Sequence, residues 1–309
     1  MTSILTNNSA MNALSTLRNI NGNLNTTQDR ISTGLKVASA KDNAAYFQIS
    51  SIMKGDSASL NSINEGLTLT KNSLATARLG AESFKELATQ FTERLAFAQG
   101  AKGGFTEIGQ ELDELVKQMT TTIKQSTFNG DDMVNASGIA DPFLPSTVDA
   151  ATGGLTAATA DTSTRNVVTG ITRAGTAAVE VTTIAVSTVD LDALLQDFAG
   201  LANEFADRAG DADDGEAYLA GVLAASAGVL AKATEAATSL GLSEKAIENQ
   251  QSFLSSLVDN INSGIGSMVD ANMEDEATRL QALQVQQQLA TQALSIANQG
   301  PQNILALFR

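Results

Sequence analysis

Cysteine, histidine and tryptophan are absent from all 309 residues. Without cysteine there is no disulfide framework and no thiolate chemistry. Without histidine the commonest general base and the usual zinc ligand are missing. Proline occurs three times, as expected of long uninterrupted helices. Aromatic residues make up 4% of the chain, few for an ordinary globular core. Lysine and arginine number 19 against 34 acids, a net charge of -15. That balance argues against a nucleic-acid partner, because phosphate neutralisation needs clustered Lys and Arg. No run approaches 18 apolar residues, so no membrane span is expected. The start, MTSILTNNSAMNALSTL, has no charged n-region, continuous apolar h-region or small-residue cleavage site, so no cleaved signal peptide is expected.

The charge is unevenly placed. Residues 1–41 hold four basic residues and one acid, and 277–309 hold two basic residues and no acid. The middle, 42–276, therefore carries -20. Two weakly basic, apolar ends flank an acidic centre. The chain closes on NQGPQNILALFR, with Ile304, Leu305, Leu307 and Phe308 crowded into a place that is normally solvated and polar.

Helical periodicity dominates the pattern. From Ile49 to Ala98, steps of four and three residues visit fifteen positions, of which thirteen are apolar, over seven heptads. The spacing predicts a helix over about 43–99, roughly 85 Å long, which calls for coiled-coil-like packing. Gly100, Gly103 and Gly104 end it, and a second helix follows with Ile108, Leu112, Leu115 and Met119 on one face. Asn129-Gly130 signals a turn. The amino end shows the same spacing at Leu14, Leu17, Leu24, Ile31 and Leu35, with a joint at 32–34 and 41–43.

Residues 131–190 are rich in Thr, Ala and Gly, and the alternation of Val179, Val181 and Val186 predicts a strand or hairpin. Helical patterning returns at 191–208 and 217–239, and a last helix is predicted from Ser243-Glu244 to about 298, with Pro301 marking its end. One stripe of that helix runs through Val285, Leu289 and Ile296. A second stripe appears beside it beyond 277, at Leu280, Leu283, Gln287, Ala290, Leu294 and Ala297. A helix apolar over most of its circumference must be surrounded. The amino-terminal helix is one wall, and two helices cannot enclose one another, so other copies are expected to supply the rest.

No catalytic, cofactor-binding or metal site is expected. Ser51-Ile-Met-Lys54 fits an S-x-x-K pattern but lacks a K-T-G partner and lies on the heptad helix. The acids at 211–216 lack the alternation, central Gly and distal Glu of a calcium loop. Glu111, Asp113 and Glu114 read as the solvated face of an amphipathic helix. The threonines of 147–188 are candidate O-glycosylation positions on a surface loop.

Three stretches carry a family resemblance. RISTGLKVASAKDNAA at 30–45, STFNG at 126–130 and ANQGPQNILALFR at 297–309 resemble bacterial flagellin, and the similarity extends over about 1–135 and 240–309. It implies a mainly α fold, a long coiled-coil-like bundle built from both chain ends with a small β-hairpin or loop insertion. It implies that 1–42 and 273–309 form an inner domain, that 43–130 and 191–272 form a rod, and that 131–190 is a variable insertion. The inner-core and subunit-interface residues are then Leu14, Leu17, Leu24, Ile31, Leu35, Leu280, Leu283, Val285, Leu289, Leu294, Ile296, Ile304, Leu305, Leu307 and Phe308.

The implied function is a structural, non-enzymatic subunit that polymerises into a secreted flagellar filament for swimming. The implied partners are other copies of the chain, the flagellar export apparatus, a flagellin chaperone, and the filament cap and hook-junction proteins. A rod stretch with Lys85, Glu86, Leu87 and Gln90 resembles the part seen by a Toll-like receptor, but lacks additional Arg upstream, so weak recognition is expected. Tyr46-Phe47 stands where family members commonly have Gly-Leu. Alternatives are a hook-filament junction protein and, less favoured, a secreted filamentous adhesin.

Overall fold

The heptad stripe becomes α2, Ala44–Gly100, and its positions from Leu74 to Ala98 are almost wholly buried. Before it comes α1, Asn8–Thr33; after it come α3, Phe105–Gln125, and a 3-10 turn at Ala136–Gly138. Four strands follow among the described residues: β1 Thr147–Val148, β2 Leu155–Thr156, β3 Thr164–Arg173 and β4 Val179–Ser187. The chain then returns through α4 Leu191–Ala202, α5 Phe205–Ala209, α6 Gly215–Val269 and α7 Met273–Leu307. This computed structural model describes residues 7–139, 144–173, 179–211 and 214–307, with 300–307, Arg173 and Val179 described by backbone alone. Pro142, Phe308 and part of the acidic run at 211–216 lie outside the described residues. The fold is mainly α, with long helices from both chain ends and a small β insertion.

The chain divides into two units. Residues 1–58 and 258–309 make the first, and 59–257 the second. In the second unit the core is layered from α2 outward. Phe84 and Phe91 of α2 meet Phe198 of α4 edge-on, with ring centroids 5.9 and 5.0 Å apart. Leu112, Met119 and Ile123 of α3 and Ile247 and Leu254 of α6 are fully buried. On the rim, Lys71 pairs with Glu248 at 2.8 Å and Arg78 with Glu244 at 2.7 Å. The Asn129-Gly130 turn forms as its sequence predicts. Both residues have positive φ, 50° and 78°, and Phe128 and Asp131 exchange backbone hydrogen bonds across it.

β3 and β4 form an antiparallel hairpin with a bulge between Val168 and Gly170, which leaves Thr169 without a ladder partner. Its carbonyl accepts instead from Gln250 Nε2 of α6 at 2.8 Å. Gln250 sits between the fully buried Ile247 and Leu254 of α6, and this bond is the reason a polar residue fits there. Gln250→Ala is expected to cost about 1 kcal/mol, and to raise hydrogen exchange in β3 and β4 while α2 exchange stays unchanged.

Several sequence expectations need correction. α6 does not stop near 239; it runs through Gly241, because Leu240 and Ile247 on the same face are fully buried and outweigh the glycine penalty. The predicted last helix is instead two, broken at 270–272. The predicted helix 191–208 is split where Glu204 takes a left-handed φ of 57°. Pro301 lies inside α7 rather than at its end. The α6 sequence also contains an 18-residue window of mean hydropathy 1.4, long and apolar enough by composition to cross a membrane. Its buried stripe of Tyr218, Val222, Ser226, Val229 and Ala233 recurs every three to four residues, the pattern of a core helix.

Candidate functional site

The first unit holds the paired chain ends. α1 starts because Asn7 Oδ1 accepts from Ala10 N–H at 3.1 Å, and stops because Gly34, at φ 72°, donates back to Arg30 O at 2.8 Å. α7 starts on Asn272, whose Oδ1 accepts from Glu274 N–H at 3.1 Å, and its first turn carries Glu274, Asp275 and Glu276 against the helix dipole.

α1 and α7 pack antiparallel. Ile20 and Leu24 bury against Leu283, with Leu280 and Ala290 beside them. Three polar contacts fix the pairing along its length: Arg30 Nη1 to Glu276 Oε1 at 3.1 Å, Gln287 Nε2 to Asn21 Oδ1 at 2.6 Å, and Asn7 Nδ2 to Ala297 O at 2.8 Å. At the joint, Lys36 and Val37 donate to Val269 O, and Ala271 donates to Gly34 O at 2.9 Å. Val37, Ile265 and Val269 form a small core there, covered by Leu35, Met53 and Ile261. Two hydrogen bonds from Ser39, backbone first and then hydroxyl, hold the Asp42 carboxyl below its usual range.

The structure sorts the predicted interface residues into three groups. Leu17, Leu24, Ile31, Leu280, Leu283 and Leu294 are buried or half-buried. Leu35 belongs to the joint rather than to the α1–α7 face. Val285, Leu289 and Ile296 remain 55%, 59% and 70% exposed, and Met11 and Leu14 are exposed on α1. The two stripes of α7 therefore have different fates: one meets α1, and the other faces outward as an apolar strip. Tyr46, Phe47, Ile49 and Ile52 add exposed apolar surface on the first turns of α2. Ile304, Leu305 and Leu307 lie on the backbone of α7, with their side chains outside the description.

Sequence reasoning missed Ile20, the most central residue of α1. Reading 17, 20, 24, 27 and 31 in alternating steps of three and four finds it, together with buried Thr27. In the second unit Lys85 and Leu87 are half-buried, and Glu86 and Gln90 are exposed. Ser51 and Lys54 are exposed on α2, and Glu111 pairs with Arg94 at 3.2 Å. Among the described residues no group of three or more acids is placed to hold a metal ion.

The family description of the bacterial flagellin N-terminal helical region matches residues 4–138, and that of the bacterial flagellin C-terminal helical region matches 224–308. The chain belongs to the bacterial flagellin family. This flagellin is 34% identical to "Flagellin C" of Rhizobium meliloti (strain 1021) over 320 residues and 35% identical to "Flagellin" of Brucella melitensis biotype 1 over 313 residues. It is also 32% identical to "Flagellin A" of Rhizobium meliloti (strain 1021) over 398 residues, and each match covers 100% of both chains. As a flagellin it is a structural subunit of the extracellular flagellar filament, a polymer of many copies. Nothing favours the junction-protein or adhesin readings.

Proposed function

We propose that the α1–α7 pair is the adhesive element of the filament, with 1–42 and 273–309 as its inner layer, 43–130 and 191–272 as the rod, and 131–190 as an outward insertion. One observation carries this reading: α7 keeps Val285, Leu289 and Ile296 exposed after α1 has taken its other stripe. Apolar strips of this kind on a helix with no acid beyond Glu276 gain burial when neighbouring copies cover them. A head-to-tail contact that does not close into a ring then extends into a helical filament. In this reading the apolar residues of the sequence stretch Ile304–Arg309 also contact neighbouring copies.

The finer partners in this proposal are an export apparatus and chaperone that keep the apolar ends apart before assembly, and cap and hook-junction proteins at the filament ends. Recognition by a Toll-like receptor through Lys85, Glu86, Leu87 and Gln90 is weak in this reading, because Glu82-Ser83-Phe84 replaces upstream arginine. Deleting Ile304–Arg309 is expected to leave a folded, soluble monomer that does not polymerise. Electron microscopy of the purified protein tests both the reading and the deletion; normal filaments from the truncated chain overturn the assignment of the tail to subunit contacts.

A further inference from the structure

Residue 301 is proline, which offers no N–H to the carbonyl four residues earlier. α7 nevertheless runs from Met273 to Leu307. The carbonyl left without its helical donor is Ala297 O, and this is the atom to which Asn7 Nδ2 donates at 2.8 Å. The other end of the same side chain, Oδ1, accepts from Ala10 N–H at 3.1 Å and caps α1. We infer that Asn7 is the positioning residue of the α1–α7 pair, starting one helix while replacing the hydrogen bond that Pro301 withholds from the other.

Two physical arguments support the assignment. Apolar stripes repeat every three to four residues, so a slip of one turn still sets apolar against apolar, and a polar contact is what specifies register. Arg30–Glu276 and Gln287–Asn21 pin the joint end and the middle of the pair; Asn7–Ala297 pins the end nearest both termini. The second argument concerns solvation. Asn7 and Ala297 are half-buried in the single chain, where water can reach the carbonyl. Once neighbours cover this end, water is excluded and the donor must come from protein. The inference thus rests on the filament reading and names the residue that fixes how the paired ends enter it.

A double-mutant cycle with Asn7→Ser and Pro301→Ala tests this. Asn7→Ser keeps an uncharged oxygen to cap α1 and removes the amide donor to Ala297 O. It is expected to raise the critical monomer concentration for filament growth about three- to tenfold, the loss of one hydrogen bond. Pro301→Ala returns an N–H to Ala297 O, and in that background Asn7→Ser is expected to change the critical concentration by no more than about twofold. An equal penalty in both backgrounds, or none in either, overturns the inference. If the unmutated protein forms no filaments, the filament reading fails, and the cycle is read from the rate of trypsin cleavage at Arg18. Faster cleavage on Asn7→Ser only where Pro301 is retained supports the inference, and any other pattern overturns it.

Discussion

Replacing Leu289 with aspartate is expected to leave the isolated chain folded, with a melting temperature close to the parent's, and to abolish filament growth. The asymmetry comes from where the residue sits. Leu289 is 59% exposed, on the stripe of α7 that α1 does not use, so the single chain loses little contact when it changes. In the proposed assembly neighbouring copies cover this position, and an aspartate there would carry an unpaired charge out of water, a penalty of several kcal/mol. A cost of about 4 kcal/mol raises the critical concentration on the order of a thousandfold. Leu289→Ala removes apolar area without adding charge and is expected to weaken growth without stopping it. Thermal melts with electron microscopy check the pair of variants. Filaments from Leu289→Asp at ordinary protein concentration remove this stripe from the subunit interface.

The largest effect on the chain itself is expected at Phe198. The ring is fully buried between Phe84 and Phe91, meeting both edge-on at interplanar angles of 60° and 64°. Truncation to alanine removes those contacts and leaves a cavity between α2 and α4. The expected loss is about 3–5 kcal/mol. For a unit of this size each kcal/mol shifts the midpoint by about 2–4 °C, so the transition of the second unit falls on the order of 10 °C. Calorimetry resolves it, and a shift of only one or two degrees contradicts the packing described. Phe198→Leu keeps most of the volume and loses the edge-to-face geometry, so its loss is smaller.

How far the sequence discloses this structure depends on the kind of signal. The α2 stripe is legible because one apolar face recurs over seven heptads and every position from Leu74 to Ala98 on it is buried. Asn129-Gly130 is legible because few residues accept two successive positive φ values. The break at 270–272 is hidden from periodicity, since the register of Met268 and Ala271 resumes in phase at Ala282 and Val285 beyond it. Its signal is chemical: Asn272 followed by Glu274, Asp275 and Glu276 is a helix start. Gly241 misleads in the opposite direction. A Cβ placed there lies 3.6 Å from Arg78 Cδ, an ordinary van der Waals contact, so nothing in the packing requires a glycine or ends the helix there. Gln250 and Asn7 are out of reach of pattern reading, because their partners are single carbonyls on elements distant in sequence.

The same distance governs when the chain ends can meet. Asn7 and Ala297 are 290 residues apart in sequence, and Arg30 and Glu276 are 246 apart. Closing loops of that size is entropically slow, and no local contact prepares it. α1 is therefore synthesised long before its partner and pairs late. Any chain interrupted before α7 leaves Ile20 and Leu24 without the Leu283 contact that buries them.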